Sequence, residues 1–481
     1  MLNIVYIAIG IIVPILFYLY RKDWLAYYLI AVSMLSEFFY IDIAGGKVRF
    51  YHLAAIVIVI LLYKQWKNIL VKREIWIIAI FVIYAFISAC ISSSRIGAVK
   101  SWISLVLNAS VGVALLLVLE AKYIDVRKLK QAICYATIVS CVFGIMQYLM
   151  FFVFNINIGF SVEQRAQINI GMIPSFRTEA NVIGRVLIIV MFLLLPELMN
   201  VERKIRGLKL MYLLAMFCTM INATRTVLYP ACIVFVVLGV YYWKMGQARR
   251  FLQITGATAG VIVIIVIAVW AHILPAADYT IYKWNAFVSP IKIDVNVIAG
   301  ESDSESADKS KEQTEESVNR NEAHAVISTT EESANENEKY VLKEITEEKY
   351  DISASYRASS TKRVLMDVLK SPKTIIFGRG WGQTYYTISN EKIQAGTGDW
   401  FNIFAYTGII GLVLYLFMTV NVLRITVMSM VKKEENGRLA LGVLSSCVII
   451  GIAGLLSSNI IQPEFWMLVG LGAYLEGKRG K

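Results

Sequence analysis

The chain has 481 residues, 57% of them hydrophobic and 17% charged, with a mean hydropathy of +0.61 and a formal net charge of +12. A soluble protein of this length would be about half apolar and a quarter charged. The composition therefore excludes a soluble globular enzyme and predicts an all-α polytopic membrane protein, a bundle of transmembrane helices. Its six cysteines (Cys90, Cys134, Cys141, Cys218, Cys232 and Cys447) lie within or beside apolar runs with no CxxC, and its three histidines are scattered. Neither a disulfide framework nor a metal centre built on imidazoles is expected.

Thirteen apolar runs approach the ~20 residues that cross a bilayer. They cover residues 2–20, 24–42, 50–63, 75–91, 102–119, 131–154, 180–199, 208–222, 226–243, 252–272, 400–423, 439–458 and 464–476. Arg21 and Lys22 follow the first run and no small-residue cleavage site does, so it reads as a retained helix and not a signal peptide. Basic residues cluster between later runs: Lys64 to Arg73, Lys122 to Lys130, Arg203 to Lys209, Lys244 to Arg250, Arg424 to Arg438, and Lys478 to Lys481. If the spans alternate, every cluster falls on one side, and the positive-inside bias makes that side cytoplasmic. The N-terminus is then outside and the C-terminus inside. The chain divides into ten helices over 1–272, an extracytoplasmic loop over 273–399 and three helices over 400–481; the connection 155–179 also faces outward.

Within the long loop, residues 300–350 form an acidic low-complexity insertion. From Glu301 to Tyr350 there are 15 acids against 6 bases, a net −9 that leaves +21 for the rest of the chain. Apolar periodicity is missing there, so a solvated spacer is expected. An amphipathic helix is predicted over 357–371, with Ser359, Ser360 and Thr361 as caps, Val364, Leu365, Val368 and Leu369 as its apolar face, and Ser371-Pro372 as its stop. The alternate glycines Gly378, Gly380 and Gly382 follow, and Asp399 and Trp400 stand at the mouth of the next apolar run.

An arginine beside or within an apolar span is costly to keep there and calls for a partner or a ligand. Arg225 sits in the turn Asn222-Ala-Thr-Arg-Thr226; Arg177 and Arg185 flank Thr178-Glu179-Ala-Asn181; Arg357, Lys362 and Arg363 lie on the predicted amphipathic helix, and Arg379 in the glycine turn. All are outward by the alternation above. The planar guanidinium bonds two phosphate oxygens at once and stays charged, so a ring of such residues suits a pyrophosphate carried on a lipid. Each has a structural alternative. Arg225 could reach the headgroups, Arg363 could pair with Asp367 at i,i+4, and Arg185 could pair with Glu179.

The order of these features resembles the O-antigen ligase and polysaccharide polymerase family of bacterial membrane proteins. Asn222-Ala-Thr-Arg225-Thr226 is similar to that family's Ser-Arg-Thr turn between two spans. Arg357 through Gly382 resembles its outer-loop pattern of an arginine-bearing helix, a proline and a Gly-x-Gly turn. Thr397-Gly-Asp399-Trp400-Phe401 with Thr407-Gly-Ile-Ile-Gly411 resembles its motif at the entrance of a glycine-paired span, and Pro174 to Gly184 is a fainter match. Ligases of the family carry a histidine where this chain has Thr397, which tilts the expectation to a polymerase. The resemblance implies a glycosyl transfer with no cofactor, metal or nucleotide sugar. The donor would be an undecaprenyl-pyrophosphate-linked oligosaccharide, and the acceptor a hydroxyl of another lipid-linked repeat unit. It further implies membrane lipids, a flippase and a chain-length regulator as partners, and no nucleic acid. The residues it points to are Arg225, Arg357 and Arg363 for the leaving pyrophosphate, with Arg177 and Arg379 in reserve, and Asp399 ahead of Glu179 as the base that takes the acceptor's proton. A ligase that hands finished glycan to a lipid or wall acceptor, or an exporter of lipid-linked sugars, are the alternatives. An exporter would keep its charges near the bilayer midplane.

Overall fold

The computed structural model describes residues 2–35, 40–43, 46–200, 205–285, 352–382, 385–388, 391–394, 398–431, 436–455, 457–460 and 462–476. The acidic insertion, Thr397, Arg203, Lys204, Lys432, Lys433 and the last basic residues lie outside the described residues. So does the side chain of Arg363.

Long runs of Leu, Ile and Val leave the backbone nothing to bond but itself, and the described residues accordingly fold mostly as helices. The first half holds α1 (Leu2–Tyr20), α2 (Trp24–Leu35), α3 (Phe50–Leu61), α4 (Trp66–Leu70), α5 (Arg73–Ile91), α6 (Arg95–Glu120), α7 (Val126–Phe154) and α8 (Val162–Asn169). Then come α9 (Ala180–Leu198), α10 (Leu208–Asn222), α11 (Arg225–Lys244), α12 (Ala248–Trp270) and α13 (Ala277–Asn285). The last part holds α14 (Ile352–Leu369), α15 (Pro372–Phe377), α16 (Asp399–Val431), α17 (Gly437–Ala453) and α18 (Pro463–Glu476). Polar residues fix several starts. The Asp125 carboxylate accepts from the Lys128 amide at 2.7 Å to open α7, and the Ser161 hydroxyl accepts from the Gln164 amide at 3.1 Å to open α8.

Each predicted span meets a helix, but the lengths differ. Among the described residues seven helices, α5, α6, α7, α9, α11, α12 and α16, are long and apolar enough to cross a membrane, and α3 with the segment after it, bent by 66°, is apolar enough to make an eighth if the two count as one span. The shorter apolar helices α2, α10 and α17 pack among them. Among the crossing helices α9 is the most enclosed and α12 the most peripheral, so α9 is the core post.

Two expectations are corrected. The second span stops at Leu35 instead of residue 42, and an antiparallel hairpin follows, β1 (Tyr40–Ile43) with β2 (Gly46–Arg49), Tyr40 opposite Arg49. The amphipathic helix starts at Ile352, so Ser359 to Thr361 are interior and not caps; the Thr361 hydroxyl bonds back to the Arg357 carbonyl at 2.7 Å. Ser371-Pro372 does stop it, but then opens α15, with the Ser371 hydroxyl accepting from the Lys373 amide at 3.3 Å. Val364 and Val368 are buried as expected, against Ala405, Phe404 and Tyr406 of α16.

Side-chain contacts sort the helix ends into two sets. At one end Lys72 meets Glu120 at 2.9 Å and donates to the Ala473 carbonyl at 2.9 Å, while Lys130 meets Glu197 at 2.5 Å. Asn421 donates to Glu74, and Arg250 to the Leu198 carbonyl at 3.1 Å. This gathers the starts of α5, α7 and α12 with the ends of α6, α9, α16 and α18. Lys72, Arg73, Lys130, Arg250 and Arg424, all from the basic clusters, stand here. The start of α9, the turn between α10 and α11, the start of α16 and the start of α18 meet at the opposite end, here called the rim.

Candidate functional site

The rim is built around the segment leading into α9. Asn222, the last residue of α10, accepts at Oδ1 from the Ile173 amide at 2.8 Å and donates from Nδ2 to the carbonyls of Ile173 and Ala180 at 2.9 and 3.2 Å. A side chain at Gly184 would collide with Thr224, so α9 needs glycine there for the 222–225 turn to lie against it. Gln164 of α8 holds the same segment from the other side, donating to the Ser175 and Arg177 carbonyls at 2.5 and 3.1 Å. One asparagine, one glutamine and one glycine thus bring four stretches of chain to one point.

Arg177 is fully buried. Its guanidinium pairs with Glu464 at the start of α18 and donates to the Ser33 carbonyl at 3.1 Å. It ties α2, the α9 approach and α18 together, and its geometry is that of an internal brace. Arg185, one turn and a half into α9, donates to the Ser458 carbonyl at 2.7 Å and to Asn459 Oδ1 at 2.8 Å. The carboxylates of Asp399, Glu464 and Glu179 and the guanidinium of Arg357 all lie within its electrostatic reach. Arg185 is thus the charge around which the rim is arranged, and its surroundings are wider than the Glu179 pairing the sequence suggests.

Asp399 is also fully buried. Oδ1 accepts from the Ser458 hydroxyl at 2.9 Å and the Ile460 amide at 3.1 Å, and Oδ2 accepts from the Asn459 amide at 2.7 Å. It opens α16, yet its carboxylate caps the turn between α17 and α18 and not its own helix. Three donors on one carboxylate hold that turn in place, and the same turn presents Ser458 and Asn459 to Arg185. Glu179 is different: it is exposed, stands at the N-cap position of α9, and makes no side-chain cap bond.

The glycine turn has a backbone role. Gly378, Gly380 and Gly382 all have positive φ (73°, 111° and 74°), and each lies too close to neighbouring chain for a Cβ. They lead the turn past a break in α16 at Gly408, where φ 67° and ψ −166° interrupt the helix. The carbonyls freed by that break are taken up from outside the helix: Ala405 by the Arg379 amide at 2.8 Å, Tyr406 by the Gly380 amide at 3.0 Å and the Ser88 hydroxyl at 2.7 Å, Thr407 by the Tyr84 hydroxyl at 3.1 Å. In a bilayer such satisfaction is obligatory. The Arg379 guanidinium bonds Asp367 at 2.5 Å and its carbonyl at 3.0 Å, so Asp367 has Arg379 as a partner, where the sequence suggested Arg363.

Arg225 begins α11 half-buried, beside Lys283 of α13. Lys283 donates to the Asn222 carbonyl and lies 6.0 Å from the Tyr279 ring. Burial, and then the Arg225 guanidinium, push the Lys283 ammonium down to about 7.

Of the residues singled out in the sequence, Arg177, Glu179, Asp399 and Arg357 thus converge on Arg185 and the α9 approach. Arg225 joins them through Thr224, while Arg379 stands apart at the glycine turn. The sequence reading passed over Lys283, Glu464 and Asn459. Glu464 could have been found, since an acid opening an apolar span needs a partner as much as an arginine does. Among the described residues no group of three His, Cys, Asp or Glu side chains could hold a metal ion. No protein-family model and no curated protein matches the chain.

Proposed function

We propose that the chain is a membrane glycosyltransferase that polymerises lipid-linked repeat units into surface polysaccharide (O-antigen, capsule or exopolysaccharide) at the outer face of a bacterial cytoplasmic membrane. The observation that carries this reading is the gathering of Glu179, an exposed carboxylate, and Arg357 around Arg185 at the start of α9, with Arg225 next in the chain to the Thr224 that lies against Gly184 of the same helix. In the transfer, the bond between the terminal sugar carbon and the pyrophosphate oxygen breaks as the acceptor oxygen bonds that carbon. The acceptor's proton passes to Glu179 and the negative charge leaves on the pyrophosphate, where guanidinium groups neutralise it as it develops. We assign the base to Glu179 ahead of Asp399, because the Asp399 carboxylate is enclosed by its own turn. Asp399 then acts as a positioning residue that sets Ser458 and Asn459 against Arg185. Arg225 and Arg357 meet the leaving group, and Arg177 and Arg379 serve as braces. The gathering of these charges at one end of the bundle, away from its middle, supports chemistry over transport.

The test is reconstitution. Purified protein in lipid vesicles, given lipid-linked repeat units extracted from cells that lack it, should lengthen them without added nucleotide sugar or metal. Units that stay single under conditions where the protein is folded would refute the reading.

A further inference from the structure

Three phenylalanines from separate stretches stack beside the start of α9: Phe143 of α7, Phe160 just before α8, and Phe176 just before Arg177. Centroid to centroid, the Phe143 ring lies 4.2 Å from Phe176 and 5.5 Å from Phe160, and Phe160 lies 6.3 Å from Phe176. The three planes agree to within 24°. The rings thus share one orientation and make an aromatic surface with a common face, in place of edge-to-face nesting. That surface is accessible: Phe160 is 47% exposed, and Phe143 and Phe176 are half-buried.

Buried polar side chains fix the rings. Gln164, fully buried, accepts at Oε1 from the Phe160 amide at 2.6 Å. Its Nε2 donates to the Ser175 and Arg177 carbonyls, on either side of Phe176, at 2.5 and 3.1 Å. The Ser175 hydroxyl donates to the Ser140 carbonyl of α7 at 2.6 Å, one turn before Phe143. The stretch that carries Phe160 also closes on itself: Asn157 donates to Asn169 Oδ1 at 2.6 Å, and Arg165 to the Gly159 carbonyl at 3.0 Å. The surface is therefore preorganised, and its surroundings are amides and a guanidinium. α8 reads Val-Glu-Gln-Arg-Ala-Gln-Ile-Asn, with Ile168 buried. A helix that rests on lipid carries a broad apolar face instead.

An aromatic face bordered by such groups matches a pyranose, which has a face of C–H groups and an edge of hydroxyls. The C–H groups carry partial positive charge and meet the negative face of the ring. The position fits as well. Gln167 of α8 donates to the Thr178 carbonyl at 3.3 Å and accepts from the Ala180 amide at 2.7 Å, which grips the chain on both sides of Glu179. Phe176 stands three residues before Glu179, at most about 11 Å along an extended chain.

We propose that Phe143, Phe160 and Phe176 form a stacking platform for a sugar of the acceptor glycan, which turns its hydroxyl toward Glu179. That the sugar is the acceptor's rests on the polymerase reading; that the rings bind a sugar does not. The rings take no part in the chemistry and act by positioning, holding one face of the acceptor through the transfer.

The experiment is binding of a lipid-free oligosaccharide to the full chain in lipid nanodiscs, by calorimetry. The probe is released by mild acid from the lipid-linked units of cells that lack the protein. Phe160→Leu keeps an apolar side chain but loses the ring face. It should bind about three- to tenfold more weakly than wild type, the worth of one aromatic stacking contact. Replacing Phe160 by pentafluorophenylalanine keeps the ring's shape and reverses the charge of its face, so binding should weaken again. In the transfer assay both proteins should show a KM for the acceptor raised by that factor, with kcat little changed. A ring that only fills space or touches lipid predicts wild-type affinity for the leucine and the fluorinated protein. That result, or no binding by wild type, would overturn the proposal. If Phe160→Leu does not fold, the fluorinated protein decides alone. Ring-dependent binding by a protein that lengthens no glycan would refute the polymerase reading and leave the platform standing.

Discussion

Arg177 separates a brace from a ligand most sharply. The residue is fully buried, and the Glu464 side chain opposite it is 8% exposed. Arg177→Met would leave that carboxylate buried without its cation, a loss of about 3–5 kcal/mol. The Ser33 carbonyl would also lose a donor, for about 1 kcal/mol more. Against a total stability on the order of 5–15 kcal/mol, the single variant should survive poorly. Arg177→Met with Glu464→Leu removes both charges together, and a buried pair replaced by apolar groups of similar size is close to neutral. The double variant should therefore recover most of the lost stability. Heating the detergent-solubilised protein and measuring the monodisperse fraction by size exclusion reads this directly, and the glycan ladder from cells carrying each variant reads activity. A brace predicts that stability and polymer return together in the double variant. A double variant as stable as wild type that makes no polymer would refute the brace and return Arg177 to the pyrophosphate.

Asp399→Asn keeps one acceptor oxygen but turns an amide toward backbone donors at Asn459 or Ile460, which leaves a buried group unsatisfied at about 1–3 kcal/mol. Heat stability and polymer should fall together; full stability with no polymer would instead mark Asp399 as the base. Gly408→Ala forces a positive φ on a residue whose Cβ would strike the Ile376 carbonyl, so the α15–α16 join should loosen at a cost above about 1–2 kcal/mol, read as a lower yield of folded protein; an unchanged yield would show that the break in α16 tolerates a side chain. Stability should also depend on pH through Lys283. Its folded value is about 7 against the ordinary 10.5, so between those values the unfolded chain holds a proton that the folded chain lacks. Stability should then rise as pH increases from about 7 to 9 and lie lowest below 7. The thermal midpoint should follow that slope in wild type and flatten in Lys283→Met, and a wild-type midpoint that falls over this range would contradict the sign.

The helices were legible because an apolar run in a bilayer has one way to satisfy its backbone, and each predicted span meets a helix. Their ends were less so. Tyr40-Ile-Asp-Ile and Lys47-Val-Arg around Gly45 and Gly46 carried a hairpin signal that the hydropathy of the second span masked. Ser359 to Thr361 read as caps because caps and back-bonding hydroxyls are the same residue types, and only the position of Ile352 decides between them. The glycine turn was legible as unusual backbone, but its partners are carbonyls 25 or more residues on that become available only because Gly408 breaks α16. That could not be read from spacing. The arginines were found by one rule, that charge beside an apolar span needs a reason. Lys283, in a polar segment, and Asn459, uncharged, fell outside it.

The central claim is that the chain lengthens lipid-linked glycans, and the most direct measurement is the set of such glycans that accumulates when the protein is deleted from its host. The account predicts single repeat units on the lipid, with long chains restored by the wild-type protein and not by Glu179→Gln. Long chains that persist on the lipid, unattached to any acceptor, would contradict it and make the protein a ligase.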